Sequence, residues 1–225
     1  MYVSEAVKTR FSCRAFTKQP VSANLIKEIL DLAKQAPSGG NLQPWHIHAI
    51  TGQKLKQIVV DIESKIPDMP MGEKTEYDVY PQNLWDPYRS RRFKCGEDLY
   101  KSINIPREDK GARLKQLARN LRFFDAPVGL FVYIDRKMGP PQWSDVGMFL
   151  QTIMLISREK GLHSCAQEAW AMWHSTVEKH LIVDNNLMLF CGMGIGYADE
   201  SHPINAWRTD REAVSNFTTF YGFDN

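Results

Sequence analysis

Two hydrophobic periods alternate along this chain, and the alternation restricts it to folds in which helices and strands are interleaved. Leu25, Ile26, Ile29, Leu30, Ala33 and Ala36 fall on one stripe at i, i+3, i+4 spacing. Ser22 sits where an N-cap belongs, and Pro37 with the Gly39-Gly40 pair stops the helix. Residues 45–50 (WHIHAI) then read as a short strand, and Leu55, Ile58, Val59 and Ile62 mark a second amphipathic helix. Regularity returns later with a basic helix near 108–122, a strand at 128–134, a long helix near 142–160, a helix near 170–181 and an apolar strand at 187–192.

Between these blocks, residues 66–106 carry five prolines, clustered aromatics and charges, and no periodicity longer than a turn, so the expectation is an irregular excursion acting as a lid. The segment 201–225 has no stripe of its own, yet it ends in the aromatic run FTTFYGF, which must cover something apolar. No repeat or linker divides the chain, and its 225 residues fit one domain.

A formal charge of only +2 argues against nucleic acid as the main partner. Cys13, Cys95, Cys165 and Cys191 are scattered, with no CxxC pair and no zinc-type spacing, and read as reduced thiols. No stretch approaches a membrane helix and the N-terminus has no signal-peptide run, so a cytoplasmic protein is expected.

Five short motifs carry candidate chemistry. In RFSCRAF, extended backbone puts Arg10, Ser12 and Arg14 on one face, two guanidiniums and a hydroxyl suited to a phosphate; the same pattern also serves as a solvated strand face. In APSGGNLQPW, Ser38, Gly39 and Gly40 leave backbone groups approachable, and Asn41 and Gln43 offer both donors and acceptors; the same residues also make a helix C-cap and a tight turn. In SCAQEAW, Glu168 either caps a helix or lines a site at its N-terminus. CGMGIGY alternates glycines after an apolar strand but is followed by YADESHPIN rather than a helix, so it marks a close approach rather than a dinucleotide fingerprint. RSRRFK beside Trp85 and Tyr88 is either an anion-holding loop or a solvated rim. His46 and His48 share a strand face without a third ligand nearby, and no metal is expected.

Taken in order, TRFSCRAF, APSGGNLQPW, CAQEAW, CGMGIGYAD and NAWRTDR resemble the nitroreductase family of flavoenzymes over nearly the whole chain. YPQNLWDPYRSRRFKCGEDLY and NLRFFDAPVGLFVYID resemble the subgroup that includes nitrobenzoate reductases. The resemblance implies an α+β fold with a central mixed β-sheet flanked by helices, an intertwined homodimer with FMN at the interface, and a C-terminal arm over the partner. It implies that Arg10, Ser12, Arg14 and Arg211, helped by Arg208, hold the FMN phosphate and ribityl chain. It also implies that Pro37, Ser38, Gly39 and Asn41 reach the flavin from the other subunit, and that Gln167, Glu168 and Ala169 lie near N5 and the ring edge. Thr209 stands where many relatives carry a lysine.

The activity implied is transfer of a hydride from NAD(P)H through flavin N5 to a nitroaromatic, quinone or similar flat acceptor, with no side-chain acid or base required. A dehalogenase or enal reductase on the same flavin fold, and a flavin-binding protein without turnover, are the alternatives. Trp85, Tyr88 and Phe124 are expected to sandwich the acceptor, with Phe123 beside them, and Arg91 or Arg92 to meet its carboxylate.

Overall fold

The structure, a computed structural model, describes residues 1–223. Helix α1 (Val3–Thr9) opens the chain, followed by α2 (Ala23–Ala33), β1 (His46–Thr51), α3 (Gly52–Lys65), α4 (Tyr88–Ser102), α5 (Lys110–Ala118), β2 (Val128–Asp135), α6 (Pro140–Glu159), β3 (His163–Gln167), α7 (His174–Glu178), β4 (Leu187–Gly196) and α8 (Pro203–Ala206). Short 3-10 turns occupy Gly39–Asn41, Arg119–Asp125, Glu168–Trp173 and Val214–Asn216.

The strands form one sheet in the order β1-β2-β4-β3, with every neighbouring pair antiparallel. Among the described residues the one parallel pairing is an isolated bridge between Ser12 and Ser164, so the expected mixed character of the sheet reduces to that bridge.

Period two sorts the side chains of β2 onto two cores. Val128, Leu130, Val132 and Ile134 face α2 and α6, meeting Ile26, Ile29, Val146, Phe149 and Ile153. Phe131 and Tyr133 face the other way, toward Trp170, Trp173 and Val177. On β4 the parity changes midway. Leu187 and Leu189 join the second core, but Cys191, Met193 and Ile195 join the first, because the register between β2 and β4 skips one residue between Val132 and Tyr133. One extra residue in a strand flips every side chain beyond it to the opposite face.

That flip puts Gly192, Gly194 and Gly196 on the second face together, where large groups lie flat on the sheet. A Cβ at Gly192 would stand 2.3 Å from Trp170 Cδ1, and one at Gly196 would stand 2.6 Å from Pro127 Cδ. The alternating glycines therefore mark a close approach, as their sequence context indicated, and the strand runs on through them instead of ending at 192.

Several elements depart from the sequence expectations. The stretch 66–106 is not wholly irregular, since α4 lies inside it; α4 buries none of its side chains, so it leaves no apolar stripe to detect. The helix expected at 170–181 is a 3-10 turn followed by the five-residue α7, and Glu168 caps neither. The basic helix expected at 108–122 ends at Ala118, where the chain tightens into the turn Arg119–Asp125. In that turn Phe123, Phe124 and Asp125 all take positive φ, at 51°, 53° and 66°. This left-handed run drives both phenylalanines inward, with Phe123 fully buried and Phe124 2% exposed. Phe124 is thus a core residue and not an exposed gate, correcting its expected place beside Trp85 and Tyr88.

Candidate functional site

The site begins where α1 ends. Arg10 N–H closes the last helical turn on Ala6 O (3.0 Å), and the chain then extends. It is laid along the outer edge of the sheet by Cys13 N–H to Ser164 O (3.0 Å) and Thr17 N–H to Tyr197 O (2.8 Å). Alternation does the rest: Cys13 and Ala15 are buried, while Arg10, Ser12 and Arg14 face a cavity of about 540 Å³.

The opposite wall of this cavity is Trp207, Arg208, Thr209 and Arg211 from the irregular segment after α8, and Gln151 of α6 contributes to it. The two walls are joined by Asn205, which is 4% exposed. Its Oδ1 accepts from Arg14 N–H (2.9 Å), and its Nδ2 donates to Ala15 O (2.7 Å) and Asp199 O (2.9 Å). A neutral amide that satisfies three backbone groups fixes the spacing of the walls without adding charge to the cavity.

The electrostatics are one-sided. Arg14, Arg208 and Arg211 donate to backbone carbonyls and the Thr209 hydroxyl, and among the described residues none of the four arginines has a carboxylate partner. The neighbouring acids point elsewhere: Asp210 pairs with Lys94 (2.8 Å) and Glu212 with Arg91. Burial, and then the charge of Arg211, hold the Arg10 guanidinium below its ordinary pKa. The rings hold the geometry, with Arg208 4.0 Å above Phe11 and Arg14 5.8 Å from Trp207. Several guanidiniums facing each other across a cavity without a counter-charge are arranged for an anion that brings its own.

His163 lies behind this wall. It is 7% exposed, tilted against Phe11 at 4.8 Å, and its Nδ1 has no hydrogen-bond partner. Burial, with Arg158 and Arg208 nearby, pushes its pKa down to about 4, so the ring is neutral at pH 7.

Other sequence-predicted residues lie apart from the cavity. The turn 37–43 is largely exposed; Gly39 N–H donates to Asp145 Oδ2 of α6 (3.3 Å), and Asn41 takes a positive φ of 56°. Gln167 ends β3 and donates from Nε2 to Asn120 O (2.8 Å), leaving its Oε1 buried without a partner; Glu168 is exposed and Ala169 packs on the core. Trp85 and Tyr88 meet edge to face at 5.6 Å on the surface, and Arg92 covers the Tyr80 ring at 4.1 Å. Arg91 faces a second recess, of about 370 Å³, which shares Trp207, Thr209 and Arg211 with the first. Gln151, Trp207, Asn205 and His163 were not singled out from sequence. Asn205 and Trp207 stand inside the NAWRTDR motif and had a signal; Gln151 and His163 meet the site only through tertiary contacts.

The chain as a whole is similar to known proteins. A family model described as the Nitroreductase family matches residues 7–197. The 4-nitrobenzoate reductase of Pseudomonas putida is 39% identical over 218 residues, covering 97% of this chain and 95% of that one. The nitrobenzene nitroreductase of Ectopseudomonas oleovorans is 36% identical, covering 97% and 96%. Among solved structures, the FMN and NADPH-dependent nitroreductase NfnB from sphigopyxis sp. strain HMH superposes with a TM-score of 0.96 at 45% identity, covering 99% of this chain and all of that one.

Proposed function

Because this chain belongs to the nitroreductase family, we propose that its arginine-lined cavity holds the phosphate end of FMN and that the protein is an NAD(P)H-dependent flavin oxidoreductase acting on nitroaromatic compounds. The observation that carries the reading is the convergence of Arg10, Arg14, Arg208 and Arg211 without a carboxylate. A phosphate supplies the missing charge and accepts from several guanidinium N–H groups and the Ser12 hydroxyl at once. FMN held there would supply the redox chemistry, hydride transfer between a nicotinamide and a flat acceptor.

The chain's own residues bind, orient and shield. Ser164 pairs with Ser12 beside the phosphate site, and Gln167 lies three residues farther along β3, about 10 Å away at roughly 3.3 Å per residue. That span suits a ribityl chain running along the sheet edge and brings the ring edge to Gln167, Glu168 and Ala169. The unpartnered Gln167 Oε1 is then an acceptor available to a ring N–H.

In this reading Pro37, Ser38, Gly39 and Asn41 serve the flavin of a second copy, since the turn is exposed and lies outside its own chain's cavity. Segment 201–225 acts as the dimer arm, and segment 66–106, with Trp85, Tyr88, Arg91 and Arg92, as the acceptor lid; the inward position of Phe124 removes it from that set. Among the described residues no helix is long and apolar enough to cross a membrane, and we place the enzyme in the cytoplasm, where NAD(P)H is available.

The test is direct. The purified protein should be yellow, release FMN on denaturation, bleach anaerobically with NADH or NADPH, and recover its colour with 4-nitrobenzoate or nitrobenzene. A colourless protein that takes up no added FMN overturns the reading.

A further inference from the structure

Away from the arginine cavity, three donors from two distant parts of the sequence converge on one point. Glu76 comes from the segment before α4, and His174 and Glu178 occupy one face of α7 at i, i+4 spacing. His174 Nδ1 lies 3.7 Å from Glu178 Oε1 and 3.8 Å from Glu76 Oε2, and all three ligand atoms lie within 4.8 Å of one another. The first two atoms are buried, and neither has a hydrogen-bond partner.

These separations are too long for hydrogen bonds. They suit donors that share a cation, because two ligands each about 2.1 Å from one ion stand about 3–4 Å apart. Rotation of either carboxylate about its last, soft torsion closes the widest separation.

We propose that Glu76, His174 and Glu178 bind one divalent cation of the zinc type, at a site sharing no residue with the flavin cavity. The ligand set selects this class: imidazole with carboxylates suits zinc and its neighbours, whereas magnesium and calcium take oxygen donors alone.

The surroundings support the assignment. Arg136 holds the Glu76 carboxylate through both oxygens, Nε donating to Oε1 (2.6 Å) and Nη2 donating at the longer distance of 3.4 Å to Oε2, which orients the group and leaves Oε2 a second lone pair for a cation, and His174 Nε2 lies 3.5 Å from Ser175 Oγ. A fourth polar group is independent of the acids. The Tyr133 hydroxyl of β2 is fully buried without a partner and lies near enough for the charges of Glu178 and Glu76 to act on it.

The cation has mechanical work to do. The segment carrying Glu76 already rests on α7, where Glu73 accepts from Thr176 N–H (3.0 Å) and Thr176 Oγ1 (2.6 Å). A metal bridge pins the root of the 66–106 segment to the body of the protein. The site is independent of the flavin reading and stands or falls separately from it.

The experiment uses purified full-length protein, treated with a chelator and titrated with zinc chloride by calorimetry, with X-ray absorption of the zinc-loaded sample. One zinc per chain is expected, coordinated by a single imidazole and otherwise by oxygen, and binding should weaken at least tenfold in both His174→Ala and Glu178→Gln with far-ultraviolet dichroism unchanged. Glu178→Gln conserves volume, so it decides if His174→Ala misfolds, and the absorption spectrum of the unmodified protein needs no variant. No zinc retained above buffer, two imidazoles in the coordination shell, or unaltered affinity in the folded variants each overturns the site; the last two outcomes would move zinc to His46 and His48 or to His180 and Asp61.

Discussion

At the scale of single residues, the arginine cavity divides charge from scaffold. Arg14 and Arg211 reach the cavity from opposite walls, and on the proposed reading each would supply its own charge-assisted contacts to the phosphate. Arg14→Ala or Arg211→Ala should weaken FMN binding about ten- to hundredfold, for a contact of roughly 1.5–3 kcal/mol, with flavin content after gel filtration as the readout. Wild-type occupancy in both variants would remove the phosphate assignment. His163 gives a second prediction, with a definite sign. Its pKa falls from 6.5 in the unfolded chain to about 4 in the fold, so between those values the unfolded state binds more protons and stability rises with pH. The contribution is complete above pH 6.5 and is lost as pH falls toward 4, by about 3 kcal/mol at most. Denaturant melts at pH 7 and pH 5 should show a smaller loss of stability in His163→Asn than in the parent; equal losses would mean that His163 does not carry the slope.

At the scale of elements, legibility followed burial. The stripe of α2 and its Ser22 cap were readable, and the structure buries Ile26, Ile29 and Ala33, with Ser22 Oγ accepting from Leu25 N–H (3.2 Å). Helix α4 was not readable, because a helix that buries no side chain has no apolar face to write into the sequence. Strand β3, HSCAQ, is polar in composition yet mostly buried, since the 12–16 segment covers its open edge; that cover is a tertiary fact with no local signature. The same division holds for the candidate site. Arg10, Ser12 and Arg14 were legible because alternation on extended backbone is local, whereas Gln151 and Asn205 join them from far along the chain. The turn Arg119–Asp125 shows a different limit, since three consecutive non-glycine residues at positive φ run against local preference, at roughly 1–2 kcal/mol each, and only a tertiary gain sustains them. That gain is the fit of Phe123 over the glycine face and of Phe124 into the same core. Phe124→Ala should therefore lower unfolding free energy by about 3–5 kcal/mol and not act as a selective change in acceptor preference. Urea denaturation checks it, and a change under 1 kcal/mol would return Phe124 to the surface.

At the scale of the whole molecule, a single chain leaves large apolar side chains in water at both of its ends. Tyr2 and Val3 of the N-terminal segment are 84% and 74% exposed, Met148 projects from the neighbouring α6, and Phe217, Phe220, Tyr221 and Phe223 stand free along the C-terminal segment. Contiguous apolar areas of this kind mark interfaces. The placement of polar groups agrees, because the 37–41 turn lies on α6 through the Gly39–Asp145 contact but lines no part of its own arginine cavity. On the proposed reading a second copy would resolve both features at once, covering the helices, receiving the aromatic arm and taking each turn to the other chain's flavin. On this argument flavin binding and dimerisation are one equilibrium, so the dimer should persist at concentrations where FMN is retained. Removing residues 216–225 should dissociate or aggregate the protein and release flavin together. Sedimentation velocity with absorbance read at both the protein and flavin bands separates the outcomes, and a truncated chain that sediments as a stable monomer with its flavin bound would show that one copy completes the site alone.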